Sequence, residues 1–316
     1  MLLSHLLSRI ATRAVAGPVD RPVGLVTDRD SNVGSGDVFV AIRGARFDGH
    51  DRVGAMAHAA AVVVDRDVAV PPGPTVVRVE DTRLALAPLA AAAWNDPGAA
   101  MPVVAVTGTN GKTSTTFLLA AMAREAGLRV GVIGTTGHFI DDEKLPATHT
   151  TPDAPTVQAL LARMRDAGCG LVAMEASSIG IAAHRVDAIP FRAAVFTNLT
   201  RDHLDWHGTM EAYKAAKARL FSELLAGTAI LNVEDEASVD MAPYGKPAWT
   251  YAIDEDADLA ASLDAMTWEG SRGTVRWNDE VRPLFVPLVG RHNVQNALGA
   301  LGAALAVGIP LDTALR

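Results

Sequence analysis

Between residues 103 and 126 the chain runs from an apolar strand through a glycine loop into a helical stretch, and related units follow. Val103–Val106 reads as a buried strand, and Lys112–Ala126 reads as a helix closed by Gly127. Arg129–Ile133 is the next strand, and Thr156–Ala167 is a helix closed by Gly168. Leu171–Met174, Ala193–Thr197 and Ala229–Asn232 are further strands, and Met210–Leu225 is a helix. Repeated strand–helix units predict an α/β fold, a parallel sheet covered by helices, with ligands beyond the strands' C-terminal ends. Residues 249–287 read as a β-rich excursion, and Asn293–Val307 as a final helix.

The 316 residues are too many for one average domain. Residues 24–96 have their own alternation. Asp37–Ile42, Ala61–Val64 and Thr75–Val79 are strand candidates, while Arg52–Ala61 and Thr82–Trp94 read as helical. Asn95-Asp-Pro-Gly98 is a turn, followed by Met101-Pro102. A boundary there gives two domains, 1–98 and 99–316. The first is mixed α/β; the second is built on a parallel sheet.

Composition excludes several functions. Net charge is −8, against a protein that coats nucleic acid, which needs a basic face. The single cysteine, Cys169, permits neither an intramolecular disulfide nor a cysteine zinc cluster. It reads as a small core residue. Met1–Ile10 lacks the basic start and cleavage site of a signal peptide and reads as an amphipathic helix. No apolar run reaches the roughly 18 to 20 residues that a membrane span needs, so no membrane insertion is expected. The expected location is cytoplasmic.

The strongest local signal is Thr107-Gly-Thr-Asn-Gly-Lys-Thr-Ser114. Gly108, Thr109, Asn110 and Gly111 would bring backbone N–H groups and a helix N-terminus to phosphates. Lys112 would reach the β- and γ-phosphates, and a hydroxyl from Thr113 or Ser114 would reach Mg²⁺. The usual P-loop has a glycine where Val106 stands, so this loop is a shorter variety.

A second constellation begins at Met174-Glu-Ala-Ser-Ser178. Glu175 emerges at the end of a buried strand, where a carboxylate can hold Mg²⁺ or cap a neighbouring helix. Then come Thr197-Asn-Leu-Thr-Arg-Asp-His-Leu-Asp-Trp-His-Gly208 and Tyr213-Lys-Ala-Ala-Lys217. Taken singly, His203 and His207 are ordinary surface or capping histidines. Near the end, Gly290-Arg-His-Asn-Val-Gln-Asn296 opens a helix that Asn293 could cap.

Together these strings resemble the Mur ligases and, in the loop, the folylpolyglutamate synthases. Such enzymes phosphorylate a carboxylate with ATP and let an amine displace the phosphate. The resemblance implies ATP and Mg²⁺, with metal held by Thr113, Glu175, His203 and a carbamylated Lys217. It puts Asn293 near the adenosine and makes Lys112, Glu175, His203 and Lys217 catalytic. Unmodified Lys217 on a solvated helix face is the alternative.

His149-Thr-Thr-Pro-Asp153 and the segment from Glu175 to Arg185 are similar to the MurE branch. This implies that Thr150, Thr151, Ser177 and Arg185 contact a muramoyl-dipeptide, the arginine through a two-pronged carboxylate pair. Gly36–Ile42 and Asp48-Gly-His50 are similar to a uridine-nucleotide domain, with Thr27 and His50 as contacts. The implied acceptor is UDP-MurNAc-L-Ala-D-Glu, and the implied amine is meso-diaminopimelate or lysine. Three positions depart from the branch: Ala183 where glutamine is usual, Ile179 where histidine is common, and Asp28-Arg-Asp-Ser31 in place of Asp-Ser-Arg. The family's C-terminal amino-acid-binding domain, with its Asp-Asn-Pro-Arg string, is not in the sequence, which implies a fragment of a longer protein. Two alternatives stay open: another Mur-type or folylpolyglutamate-type ligase, and a nucleotide-binding module with little catalysis.

Overall fold

The computed structural model describes residues 1–44, 47–147, 149–242 and 245–316. The chain divides into two compact units. The first comprises Met1–Pro97, Asp153–Ala162 and Ala183–Ala188, and the second Gly98–Pro152, Arg163–Ala182 and Ile189–Arg316.

In the first unit α1 (Leu3–Leu7) is followed by β1 (Ala14–Ala16), β2 (Val26–Thr27), β3 (Val38–Val40), β4 (Ala61–Val64), β5 (Thr75–Arg78) and α2 (Thr82–Ala93). The strands lie in the order β1-β5-β4-β3-β2, with β2 to β5 parallel and β1 antiparallel at one edge. Period-two alternation divides the core between the two faces. Val38, Val40, Val63 and Val77 enter one cluster, and Phe39, Val62 and Val64 the other. Asp81 starts α2 by accepting the N–H groups of Arg83 and Leu84.

The expected helix at Arg52–Ala61 is not formed. A 3-10 helix covers Gly49–Ala55 instead, begun by the Asp48 carboxylate accepting the His50 N–H. The buried residues His50, Val53 and Met56 recur every third position, which suits three residues per turn rather than 3.6.

In the second unit β6 (Val103–Thr107) leads to α3 (Lys112–Glu125), β7 (Val130–Gly134), β8 (Gly137–Ile140) and β9 (Glu143–Leu145). Then come α4 (Ala154–Asp166), whose first part groups with the first unit, β10 (Leu171–Glu175), α5 (Ser178–Ala182) and β11 (Phe191–Phe196). The remainder is α6 (Leu204–His207), α7 (Met210–Arg219), β12 (Leu225–Asn232), β13 (Ala248–Ile253), β14 (Leu259–Thr267), β15 (Gly270–Trp277), β16 (Glu280–Val286), α8 (Arg291–Ala306) and α9 (Leu311–Ala314).

Among the described residues the sheet has eleven strands, ordered β16-β15-β14-β13-β12-β11-β6-β10-β7-β8-β9. From β7 to β14 neighbours are parallel. The parallel sheet of the sequence reading forms its centre; β8 and β9 extend it with antiparallel hairpins on one side, and β15 and β16, within the β-rich excursion, on the other. The helix expected over Met210–Leu225 is also shorter; a π turn at Leu220–Leu224 buries Leu220 and Phe221 and delivers the chain to β12.

Helices α3 and α8 pack on the sheet beside Val104, Val106, Val195 and Ile230. Helix α3 stops in a Schellman turn: Gly127 has φ +77°, its N–H reaches the Arg124 carbonyl, and the Leu128 N–H reaches that of Ala123. Cys169 is buried just beyond α4. Among the described residues no helix is long and apolar enough to cross a membrane. The order places β6 beside β11, and their connections leave in opposite directions. Such a switch point opens a crevice at the strands' C-terminal ends.

Candidate active site

Two loops meet at that crevice: Gly108–Gly111 after β6 and the segment after β11. The Thr109 N–H donates to the Asn198 carbonyl at 2.8 Å, and the Asn110 N–H to Asn198 Oδ1 at 2.9 Å. Thr197 Oγ1 donates to the Asn110 carbonyl at 2.6 Å. Thr109 Oγ1 lies 3.1 Å from both the Thr200 carbonyl and the Tyr213 hydroxyl. The loop is therefore laced to its neighbour. Gly111 has φ +85°, and a Cβ there would come within 2.2 Å of Asn296 Oδ1, so only glycine lets α3 start at this point.

Lys112 folds back on the loop, its Nζ 2.9 Å from the Gly108 carbonyl and 2.8 Å from that of Thr109. Lys217 is 1% exposed and donates to the same Gly108 carbonyl at 2.8 Å. Tyr213, one turn earlier on α7, puts its ring 4.4 Å beneath the Lys217 Nζ. Burial lowers both lysines below the usual range, Lys217 strongly, and Lys112 adds a like charge against it; Asp202 opposes both shifts. The solvated helix face considered for Lys217 is corrected: α7 turns this residue inward.

Glu175 is 1% exposed at the end of β10. Its Oε1 accepts from Thr113 Oγ1 and from the Thr135 N–H, each at 2.9 Å, and its Oε2 accepts from Thr135 Oγ1 at 3.0 Å. Of the two hydroxyls considered for metal, that of Thr113 faces Glu175; Ser114 follows it on α3. Thr150 Oγ1 is 3.0 Å from Thr135 Oγ1, while Thr151 Oγ1 donates to the Glu175 carbonyl and accepts the Ser177 N–H. Thr150, Thr151 and Ser177 thus gather beside Glu175.

A hydroxyl and a buried carboxylate at a helix N-terminus are hard oxygen donors that suit Mg²⁺, which keeps water and substrate phosphates as its other ligands. Among the described residues no three His, Cys, Asp or Glu side chains form a preformed cage. His203 is half-exposed, in the left-handed region at φ +50°, with Asp202 3.6 Å away and the Tyr213 ring centroid 6.2 Å away. Its ring lies beside Tyr213 of α7.

Asn293 lies in the first turn of α8, which begins at Arg291, so the helix-capping alternative is corrected. Its side chain donates to the Val289 carbonyl and accepts from Asn296. Residues that the sequence reading did not single out also build the site. Asn198, Asp202, Tyr213 and Asn296 lay inside the quoted strings, whereas nothing in the sequence marked Thr135.

In the first unit, Thr27 lines a cleft of about 180 Å³ with Asp28, Arg29, Trp94, Asp153 and Thr156. Arg29 pairs with Asp153, and Arg185 lies in the field of Asp153 and Asp28. Burial, reinforced by Asp153, raises Asp28. His50 is buried with Nδ1 2.7 Å from Asp48 and Nε2 3.1 Å from Asp65. Both ring nitrogens are engaged, so His50 pins its turn to β4 and offers nothing to a ligand in this conformation.

The family model for the Mur ligase middle domain matches residues 106–304. This chain belongs to the Mur ligase family. Its Mur ligase relatives include the UDP-N-acetylmuramoyl-L-alanyl-D-glutamate--2,6-diaminopimelate ligase of Geobacter metallireducens, 40% identical over 299 residues, or 92% of this chain and 58% of that one. The enzyme of the same name from Lactiplantibacillus plantarum is 39% identical over 331 residues, covering 100% of this chain and 66% of the other. A solved structure of a ligase of that name matches with a TM-score of 0.86 at 28% identity, over 100% of this chain and 65% of that one. The chain spans about three fifths of the length of the curated relatives it matches. Mur ligases use ATP with Mg²⁺.

Proposed function

We propose that this chain supplies the ATP-binding and acceptor-binding parts of an amide-forming ligase that extends UDP-MurNAc-L-Ala-D-Glu with a diamino acid, meso-diaminopimelate or lysine. The observation that carries the reading is the buried Glu175 carboxylate meeting the Thr113 hydroxyl at the phosphate loop, beside Thr150, Thr151 and Ser177. The relatives' names support the choice of acceptor.

In this reading Lys112 leaves its two loop carbonyls and pairs with the β- and γ-phosphates, and the N-terminus of α3 holds negative charge. Thr113 and Glu175 would hold Mg²⁺, which would supply positive charge to offset that of the phosphates. A carboxylate oxygen of the acceptor attacks the γ-phosphorus, and ADP leaves. The amine then attacks the acyl carbon of the resulting acyl phosphate, loses a proton and expels inorganic phosphate. Fixed charge and positioning supply most of the rate in such transfers.

Lys217 takes part as a carbamate. Burial and Lys112 favour its neutral amine, which attacks CO₂ and releases a proton. The carbamate would be an anion beside Lys112, which shares the Gly108 carbonyl with Lys217, and with His203 it would supply oxygen and nitrogen donors for a second Mg²⁺. Thr27 and Arg185 serve the acceptor from the first unit, and Asn293 the nucleoside. The reaction belongs in the cytoplasm, where ATP is held.

Titration calorimetry with UDP-MurNAc-L-Ala-D-Glu, UDP-MurNAc-L-Ala and a folate tests the acceptor. Selective binding of the dipeptide form is expected. Equal binding of the shorter nucleotide, or preference for folate, would refute this acceptor and point to Ala183, Ile179 and the Asp28–Ser31 string as the cause.

A further inference from the structure

The loop after β7 takes no part in the mechanism above, yet among the described residues it makes two of the three hydrogen bonds to the Glu175 carboxylate. We propose that Thr135 is a positioning residue that sets Glu175 for the metal; this rests on the ligase reading.

A carboxylate only accepts hydrogen bonds, with about four lone-pair sites on its two oxygens. Oε1 takes the Thr113 hydroxyl and the Thr135 N–H, and Oε2 takes the Thr135 hydroxyl. One acceptor site remains, on Oε2, and the Thr135 hydroxyl decides where it points. That hydroxyl has a single proton. Because it donates to Glu175, its 3.0 Å contact with Thr150 requires Thr150 to be the donor there. The rotor is thus fixed from behind, by a residue assigned to the acceptor.

The adjoining backbone sets the distance. A Cβ on Gly134 would lie 2.3 Å from Glu175 Oε1, so the end of β7 is pressed against the carboxylate and can give the Thr135 N–H a short reach. Lys112 acts on Glu175 through its charge, while the carboxylate's direct contacts are hydrogen bonds from Thr113 and Thr135. Its orientation therefore comes from hydroxyls and one amide. Without the Thr135 hydroxyl, Oε2 can rotate toward Thr113 or accept water, and the metal meets a carboxylate that is present but misdirected.

The experiment is titration calorimetry of the whole chain with ADP, in Mg²⁺ and in EDTA. The variants are Thr135→Val, which keeps the shape and the N–H, Thr135→Ala and Thr135→Ser. Loss of one hydrogen bond to a charged group predicts that Thr135→Val weakens Mg²⁺-dependent ADP binding about tenfold. Binding in EDTA should stay within about twofold, and Thr135→Ser should restore the metal-dependent gain. Thr135→Ala should behave as Thr135→Val and serves if valine disturbs folding. Undiminished Mg²⁺-dependent binding in Thr135→Val and Thr135→Ala, or an equal loss in EDTA, overturns the assignment. If the unsubstituted chain gains no affinity from Mg²⁺, the metal reading of Glu175 fails, and this inference with it.

Discussion

Lys217 shows how a single side chain acquires a chemistry that its residue type does not predict. A lysine ammonium is strongly hydrated, and burial removes that hydration; a carbonyl and an aromatic face return only part of it. Lys112, on the same carbonyl, makes a second positive charge less welcome. The sign of the stability effect follows. The folded-state pKa lies below the unfolded value, so the unfolded chain binds more protons between the two. Stability therefore rises with pH across that window, by up to about 1.4 kcal/mol per pH unit, and is flat below it. Lys112 is shifted the same way, while Asp202 opposes both shifts. Urea unfolding in CO₂-free buffer from pH 7 to 10 should show a smaller slope for Lys217→Met than for the unsubstituted chain. Identical slopes would mean that Lys217 is solvated and ready to protonate.

Two glycines at the ends of α3 do different work, although both have positive φ. Beyond Gly127 a Cβ would find open space, so alanine meets only the backbone cost of the left-handed region, about 1–2 kcal/mol. At Gly111 the Cβ would also run into Asn296, which sits on α8 and bonds Asn293. Gly127→Ala should lower the unfolding free energy by about that amount and leave Mg·ADP affinity unchanged. Gly111→Ala should shift the loop and reduce Mg·ADP affinity by at least about tenfold, since the loop's amides would lose their aim. Calorimetry and urea unfolding on both variants check the contrast; equal effects on binding would contradict it. The laced loop explains why α3 matters to both outcomes. The loop that leads into its first turn is held through Asn198, Thr197 and Tyr213, and its last turn by a local glycine turn.

The two units do not follow the order of the chain. The first recovers Asp153–Ala162 and Ala183–Ala188 after Gly98–Pro152 and Arg163–Ala182 have joined the second. Ala154 is buried in the first unit's core, and Asp153 pairs there with Arg29. Residues 1–97 alone would lack both contacts. Such a fragment should melt at a lower temperature than the same residues within the whole chain, followed by hydrogen exchange at β3 and β4. Equal protection would show that the inserted segments add nothing to that unit. The sequence reading cut the chain cleanly at Asn95–Gly98, because a turn signal is local, whereas the return of a later helix to an earlier core is not.

The sequence by itself determined the strands β4, β6 and β10, the helix α3 and the loop between strand and helix, because each depends on local pattern: a β-branched run, a capping glycine, a helix that starts with lysine. It also set Lys112, Glu175 and Lys217 in short strings whose resemblance to the Mur ligases implies one chemistry. Only the tertiary structure decided which hydroxyl faces Glu175, that Lys217 turns inward, and that His50 is held between two aspartates. Sequence pattern did not reveal the hairpins β8–β9 and β15–β16 as extensions of one sheet, since edge pairing depends on register with a partner already in place. Thr135 was silent for the same reason. A threonine after a strand is common, and this one gains its meaning from Glu175, forty positions later in the chain but 2.9 Å from its amide.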